Sequence, residues 1–259
     1  MKKLYVFGIM LLGLIFQNQI QAQDSNACMQ DLSIFAEYVK VKNYASAMEP
    51  WTRVRQSCPD LNAAIYTYGE RILKHYIKNG TPEEVDASKK DLIQLYDEWV
   101  QYFPAKKNKS SVGDVLSRKA QALLDYKIAD LKVVYTTFDE AYTKDAKSFT
   151  NPKHLYNYFK TLYDRYKAGD SEVSMEMLFN KYEEVSEKFE IETTELAKKL
   201  DVILKKEDEG NALTSKEQRR KRVYNINSKA IGTFLSNLDA IIAKEATCEN
   251  LIPLYKRNF

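Results

Sequence analysis

Apolar residues recur along this chain at intervals of three and four, the spacing that places them on one face of an α-helix. Ile65, Tyr68, Ile72, Leu73 and Tyr76 form such a stripe over residues 61–78, and Asn79-Gly80 stops it. Thr81-Pro82-Glu83-Glu84 then supplies an N-cap hydroxyl, a proline at the first helical position and a glutamate placed to close a capping box. The helix so opened carries Leu92, Leu95, Tyr96 and Trp99 as far as Phe103-Pro104. A stripe from Ile128 through Leu131, Val134, Tyr135 and Phe138 to Tyr142 predicts another helix. Asn151-Pro152 starts the next, with Leu155, Tyr158, Phe159, Leu162 and Tyr166 on one face until Gly169. A long one spans residues 172–206, and the box Thr214-Ser215-Lys216-Glu217 opens the last, which runs through Val223, Ile226, Phe234 and Leu238 to Ile241. No run of strand length alternates with period two. The predicted fold class is all-α.

Two further helices, over 28–41 and 45–57, fall in the most specific window of the sequence. Counting Cys28 as position 1, Tyr38 stands at 11, Tyr44 at 17, Ala47 at 20, Trp51 at 24 and Pro59 at 32. The window resembles a tetratricopeptide repeat (TPR). From Asn62, Gly69 takes position 8; counted back from Pro104, Tyr96 and Leu92 take 24 and 20, a second repeat stretched by about eleven residues. Phe35, Val54 and Leu92 depart from the family's small residues. The resemblance implies helix hairpins stacked as a right-handed solenoid, continuing into irregular stacked helices. It places Tyr38 on the inner face of the first helix, small Ala47 where the helices cross, Trp51 in the gap behind, and Pro59 at the stop.

More loosely, the chain resembles exported TPR proteins of Gram-negative bacteria, which implies a protein-binding module in the periplasm or outside the cell. Its groove would be built from first helices: Met29, Leu32, Ala36, Val39 and Lys40, then Ala63, Tyr66, Glu70, Leu73 and Lys74. Core packing is the competing role for the apolar members. Cys28 and Cys58 take repeat positions 1 and 31, which an antiparallel hairpin brings together, so a disulfide is expected over two separate reduced thiols. Cys248 is then left over. Residues 248–259 resemble the opening of another repeat, either of a shortened member of a longer family or of a segment folding back on the preceding helix. An exported helical glycan-binding accessory protein is the alternative. Against it, Trp51 and Trp99 sit at repeat core positions and no cysteine for lipid attachment follows the leader.

That leader is residues 1–22, read as a secretory signal peptide, with an uncleaved anchor as the alternative. Lys2-Lys3 precede an apolar run at 4–16 that is short for a membrane span, and Ile20-Gln21-Ala22 offers a cleavage site before Gln23. It holds two of the 39 Lys and Arg and none of the 36 Asp and Glu, so the net charge falls from +3 to +1 without it. This balance argues against broad nucleic-acid binding. No other segment is apolar enough to span a membrane, so the expected product is exported and without an integral span. The lysine-rich stretch 105–111 divides a region 23–109, holding two TPR-like hairpins, from a helical region 110–259.

Motifs of catalysis are few. His75 and His154 lie in no metal-ligand pattern, there is no nucleophile elbow, and eight glycines in 259 residues leave little from which to build a phosphate loop. The expectation is a non-enzymatic protein with no cofactor and no metal. Arg219-Arg220-Lys221-Arg222 is the sharpest charge run, read as residues spread around a helix beside Glu217 rather than as a binding face. Heptad-like spacing from Leu178 to Ile203 is broken by Glu192 and Lys199, which favours packing within the chain over a coiled coil.

Overall fold

A computed structural model describes residues 26–104 and 111–250. The expected leader 1–22, residues 105–110 of the expected connector and the end of the chain from 251 lie outside them. The described residues are helical, with no strand among them. They fall into two units, divided at Pro104/Ala105, a few residues before the expected boundary.

The first unit holds α1 (26–40), α2 (Tyr44–Ser57), α3 (Ala64–Asn79) and α4 (Pro82–Tyr102). Cys28, Phe35 and Val39 make the inward stripe of α1, all buried. Tyr38, expected on that inner face, is instead 37% exposed; Phe35 takes the interior and meets Tyr68 edge-on at 6.1 Å. The chain leaves α1 through Lys42 at φ 62°, and Asn43 caps α2 by accepting from the Ser46 N–H. Cys28 and Cys58 are joined, closing the hairpin. Helix α2 tolerates Pro50 in its interior, where the proline is buried with Ala47, Trp51 and Val54.

Trp51 sets the approach of α3. Its indole N–H donates to the Ile65 carbonyl at 2.9 Å, and a Cβ on Gly69 would lie 2.7 Å from the ring. Only glycine leaves that slot open. The predicted capping box at Thr81 and Glu84 is present at the start of α4. Helices α3 and α4 pair through Tyr66, stacked on Trp99 at 5.9 Å and edge-on to Phe103 at 5.8 Å.

The second unit holds α5 (Val112–Asp125), α6 (Leu131–Asp145), α7 (Pro152–Lys167), α8 (Met175–Asp208) and α9 (Ser215–Glu245). Helix α5 is absent from the helices that the sequence pattern predicts, and Ile128, placed on a stripe there, lies in the α5–α6 turn and is 36% exposed. Helix α5 starts against the end of α6 so closely that a Cβ on Gly113 would lie 2.1 Å from the Asp145 carbonyl oxygen. Phe138, Phe149 and Tyr158 form the aromatic centre of this unit, each fully buried. Helix α8 packs on α7 and α9, so its apolar seam is used within the chain. Thr214 and Glu217 close the predicted box at the start of α9.

Candidate functional site

The residues expected to line a groove do not share one open surface. Met29 and Lys40 are exposed, Leu32, Ala36 and Ala63 are half-buried, and Val39 and Leu73 are interior. Tyr66 is fully buried, its hydroxyl donating to the Pro59 carbonyl at 3.0 Å. Burial pushes that hydroxyl's pKa well above its usual value, so it stays a donor. Glu70 is buried and accepts from the Tyr96 hydroxyl at 2.9 Å and from Lys74 at 2.5 Å. Lys40 pairs with Glu37 at 2.6 Å. Tyr66 and Glu70 of the expected groove therefore lie on the face that α3 presents to α4, against Trp99 and Phe103 for the first and Tyr96 for the second. This corrects the assignment of Tyr66, Glu70 and Leu73 to a binding surface.

A concavity of the first unit lies elsewhere, between the second helices of the two hairpins. It is a cleft of about 650 Å³ between α2 and α4, walled by Thr52, Arg55 and Gln56 on one side and Asp91, Gln94, Asp97, Glu98, Gln101 and Tyr102 on the other. Arg55 sits at its base with a side chain only 10% exposed. The guanidinium lies over the Trp51 ring at 5.1 Å. Its Nη1 donates to Asp91 at 2.7 Å and its Nε to Glu98 at 2.7 Å. Burial alone would lower the Arg55 pKa, but hydrogen bonds to Glu98 and Asp91 outweigh it and hold the charge on.

Nη2 of Arg55 is buried without a hydrogen-bond partner among the described residues. Glu98 accepts from Gln94 at 2.8 Å as well. Among the described lining residues are one guanidinium, three carboxylates and three glutamine amides that offer both donors and acceptors. The arrangement suits a ligand bearing cations or hydroxyls, and Tyr102, 36% exposed, adds an aromatic face at the rim.

Polar groups in the second unit are placed to hold structure. Tyr158 donates to Asp139 and accepts from Lys181, which also pairs with Glu184 at 2.5 Å. Burial first, then the bond to Asp139, pushes the Tyr158 pKa far above its usual value. A hydroxyl so held is no base near neutrality; it fastens α6, α7 and α8 together. His154 Nδ1 lies 2.9 Å from the Ser117 hydroxyl, both interior. The Ser117 hydroxyl is also within hydrogen-bond distance of the Asp114 carbonyl, at 2.8 Å. His75 is half-buried and stacks on Tyr44 at 4.5 Å. Among the described residues no group of three or more His, Cys, Asp or Glu is placed to hold a metal, and no helix is long and apolar enough to cross a membrane. Cys248 is a free, exposed thiol.

No protein-family model matches this sequence, and no curated protein matches it.

Proposed function

We propose that this protein is a non-enzymatic interaction module of TPR type, exported to the periplasm or cell exterior, that holds a segment of a partner protein in the α2–α4 cleft. The single observation that carries the reading is that cleft: a concavity in the hairpin unit whose described lining residues include three carboxylates and one guanidinium. The complementary partner segment carries lysine or arginine, whose charge the cleft attracts before contact and whose donors Asp91 and the glutamine amides accept. Support for the TPR reading comes from the spacing of Ala47, Trp51 and Pro59 and from the two successive hairpins. Support for export comes from the charged and apolar start of the chain and from the Cys28–Cys58 bond, which persists in oxidising compartments. The partner sits on the second helices, not on the first-helix groove that the resemblance implies.

A second reading, a glycan, is favoured by the same amides and by Tyr102, since hydroxyls accept from glutamine and donate to carboxylate. One experiment separates the two. Binding of a lysine-rich peptide and of neutral oligosaccharides is measured by calorimetry on the parent and on Gln94→Lys/Gln101→Lys, both exposed on α4. The proposal expects peptide binding that falls at least tenfold in the variant, a loss of about 1.4 kcal/mol. Oligosaccharide binding with no peptide binding selects the glycan. Peptide binding that both proteins share equally removes the cleft.

A further inference from the structure

The outward face of α9 has a composition that the sequence alone does not reveal. Over the first half of the helix, Lys216, Arg219, Arg222, Val223, Ile226 and Lys229 are all exposed and fall within a single arc, counting 100° per residue. Of the basic run, only Lys221 turns inward, to pair with Glu207 of α8. Glu217, the acid that seemed to neutralise the run, also faces α8, where Lys206 binds it at 2.8 Å. Arg219 and Arg222 of the run therefore share a basic face with Lys216 and Lys229, studded with Val223 at 43% and Ile226 at 56% exposure. Arg219, Arg222 and Lys229 make no ion pair among the described residues.

An opposite face lies on α8. Glu183, Glu187 and Glu190 are exposed at spacings of four and three, which places them on one side of the helix. They too make no ion pair among the described residues, although most other charges on α8 do. Ile191, 49% exposed, adjoins them. At ~1.5 Å per residue the acidic stretch runs about 10 Å and the basic one, from Arg219 to Lys229, about 15 Å.

The two faces cannot meet within one copy. Helices α8 and α9 are antiparallel, pinned at one end by Lys206 with Glu217 and towards the other by Tyr182, whose hydroxyl donates to Asp239 at 2.7 Å. The basic stretch accordingly lies beside the second half of α8, and the acidic stretch beside the second half of α9. We propose that the partner of each face is a second copy of this chain, with Arg219, Arg222 and Lys229 of one copy set against Glu183, Glu187 and Glu190 of the other. The exposed Val223, Ile226 and Ile191 then cover one another at the contact. Each copy carries both halves of the interface, so association is reciprocal. It is independent of the cleft, which lies in the other unit.

The test is a charge swap read by analytical ultracentrifugation on the full chain as recovered from the cell. The parent self-associates reversibly, and raising salt to about 0.5 M dissociates it, because exposed charges are screened over a few ångströms there. Arg219→Glu/Arg222→Glu and Glu183→Lys/Glu187→Lys each weaken self-association by about tenfold or more, since like charges now face each other. Mixed together, the two variants regain association, each offering the other a complementary face. Circular dichroism confirms that both remain helical; should either unfold, the salt titration of the parent decides alone. A parent that stays monomeric overturns the proposal, including one that instead binds phosphatidylglycerol vesicles through α9. Association that is indifferent to salt and to both reversals overturns it equally.

Discussion

Over residues 28–104, neighbouring helices are joined by a disulfide, an indole seated in a glycine slot and a run of packed rings. Over residues 190–230, the far half of the α8–α9 hairpin, Ile203 is the only buried residue. The two stretches differ little in helical content but greatly in what holds the helices together. In the first, removal of apolar surface from water does the joining. In the second, ion pairs such as Lys206 with Glu217 and Lys221 with Glu207 cross a sparse interface, and exposed pairs contribute little individually. Local opening should therefore begin at the hairpin tip and reach the first unit last.

Trp51→Ala gives the largest effect expected. It deletes a buried aromatic and orphans the Ile65 carbonyl bond, so denaturant unfolding should show a loss of about 3–5 kcal/mol. Ile203→Ala, the corresponding deletion at the hairpin tip, should cost about 2 kcal/mol, because a site near solvent collapses readily. Equal losses at the two positions would erase the contrast. Next in size is Cys28→Ser. The bond closes a loop of sequence separation 30, for which chain entropy gives about 3–4 kcal/mol. Hydrogen exchange in this variant should quicken across α1 and α2 while α8 and α9 keep their parent rates.

The difference between the two stretches was only partly written in the sequence. Helix caps were legible because each is local: Thr81 with Glu84, Asn151 with Pro152 and Thr214 with Glu217 all act as their spacing predicts. Trp51 as an interior residue and the Cys28–Cys58 pairing were legible from repeat position. Helix α5 was hidden because small residues dilute its stripe. Gly113 and Ala120 are weak markers of periodicity, yet Gly113 is required by the approach of Asp145, some 32 positions away. The α2–α4 cleft was hidden for the same kind of reason. It depends on Arg55 reaching Asp91 and Glu98, 36 and 43 positions along the chain. The buried side of α3 was misassigned because tyrosine and glutamate at helical spacing look like surface until Tyr96 and Trp99 of α4 are laid against them.

A smaller effect, of opposite sign, comes from the helix ends. Helices α1, α5, α7 and α8 end alike, the second N–H past the turn reaching back five residues: Asn43 to Tyr38, Ile128 to Leu123, Asp170 to Arg165 and Asn211 to Lys206. Gly169 and Gly210 supply the left-handed residue in two of these, and Lys42 and Lys127 in the others. A side chain there is strained, so Lys42→Gly and Lys127→Gly should each stabilise by about 0.5–1 kcal/mol, net of the freedom glycine gains on unfolding. Thermal melts check it. A loss at Lys42 would mean that its side chain holds the α1–α2 turn by some means other than its backbone.

The smallest effect sharpens the comparison most, because both stretches own a capping box and only one is tied to a neighbouring helix. Glu84 caps α4 with no cation in ion-pair reach among the described residues, whereas Glu217 caps α9 and also binds Lys206 of α8. The bond to Lys206, followed by those from Thr214, lowers the Glu217 carboxyl from its usual 4.5 to about 2. A depressed carboxylate contributes stability above its unfolded pKa and loses it as pH falls towards its folded one. The tip of the α8–α9 hairpin should therefore loosen between about pH 4.5 and 2. Carbon-13 titration of the Glu217 carboxyl, with amide exchange at residues 215–222, measures both. Lys206→Gln should return the titration towards the ordinary glutamate range while leaving the Thr214 cap in place. If Glu217 titrates normally in the parent, the box closes α9 by itself, and the tip is held by Lys221 with Glu207 instead.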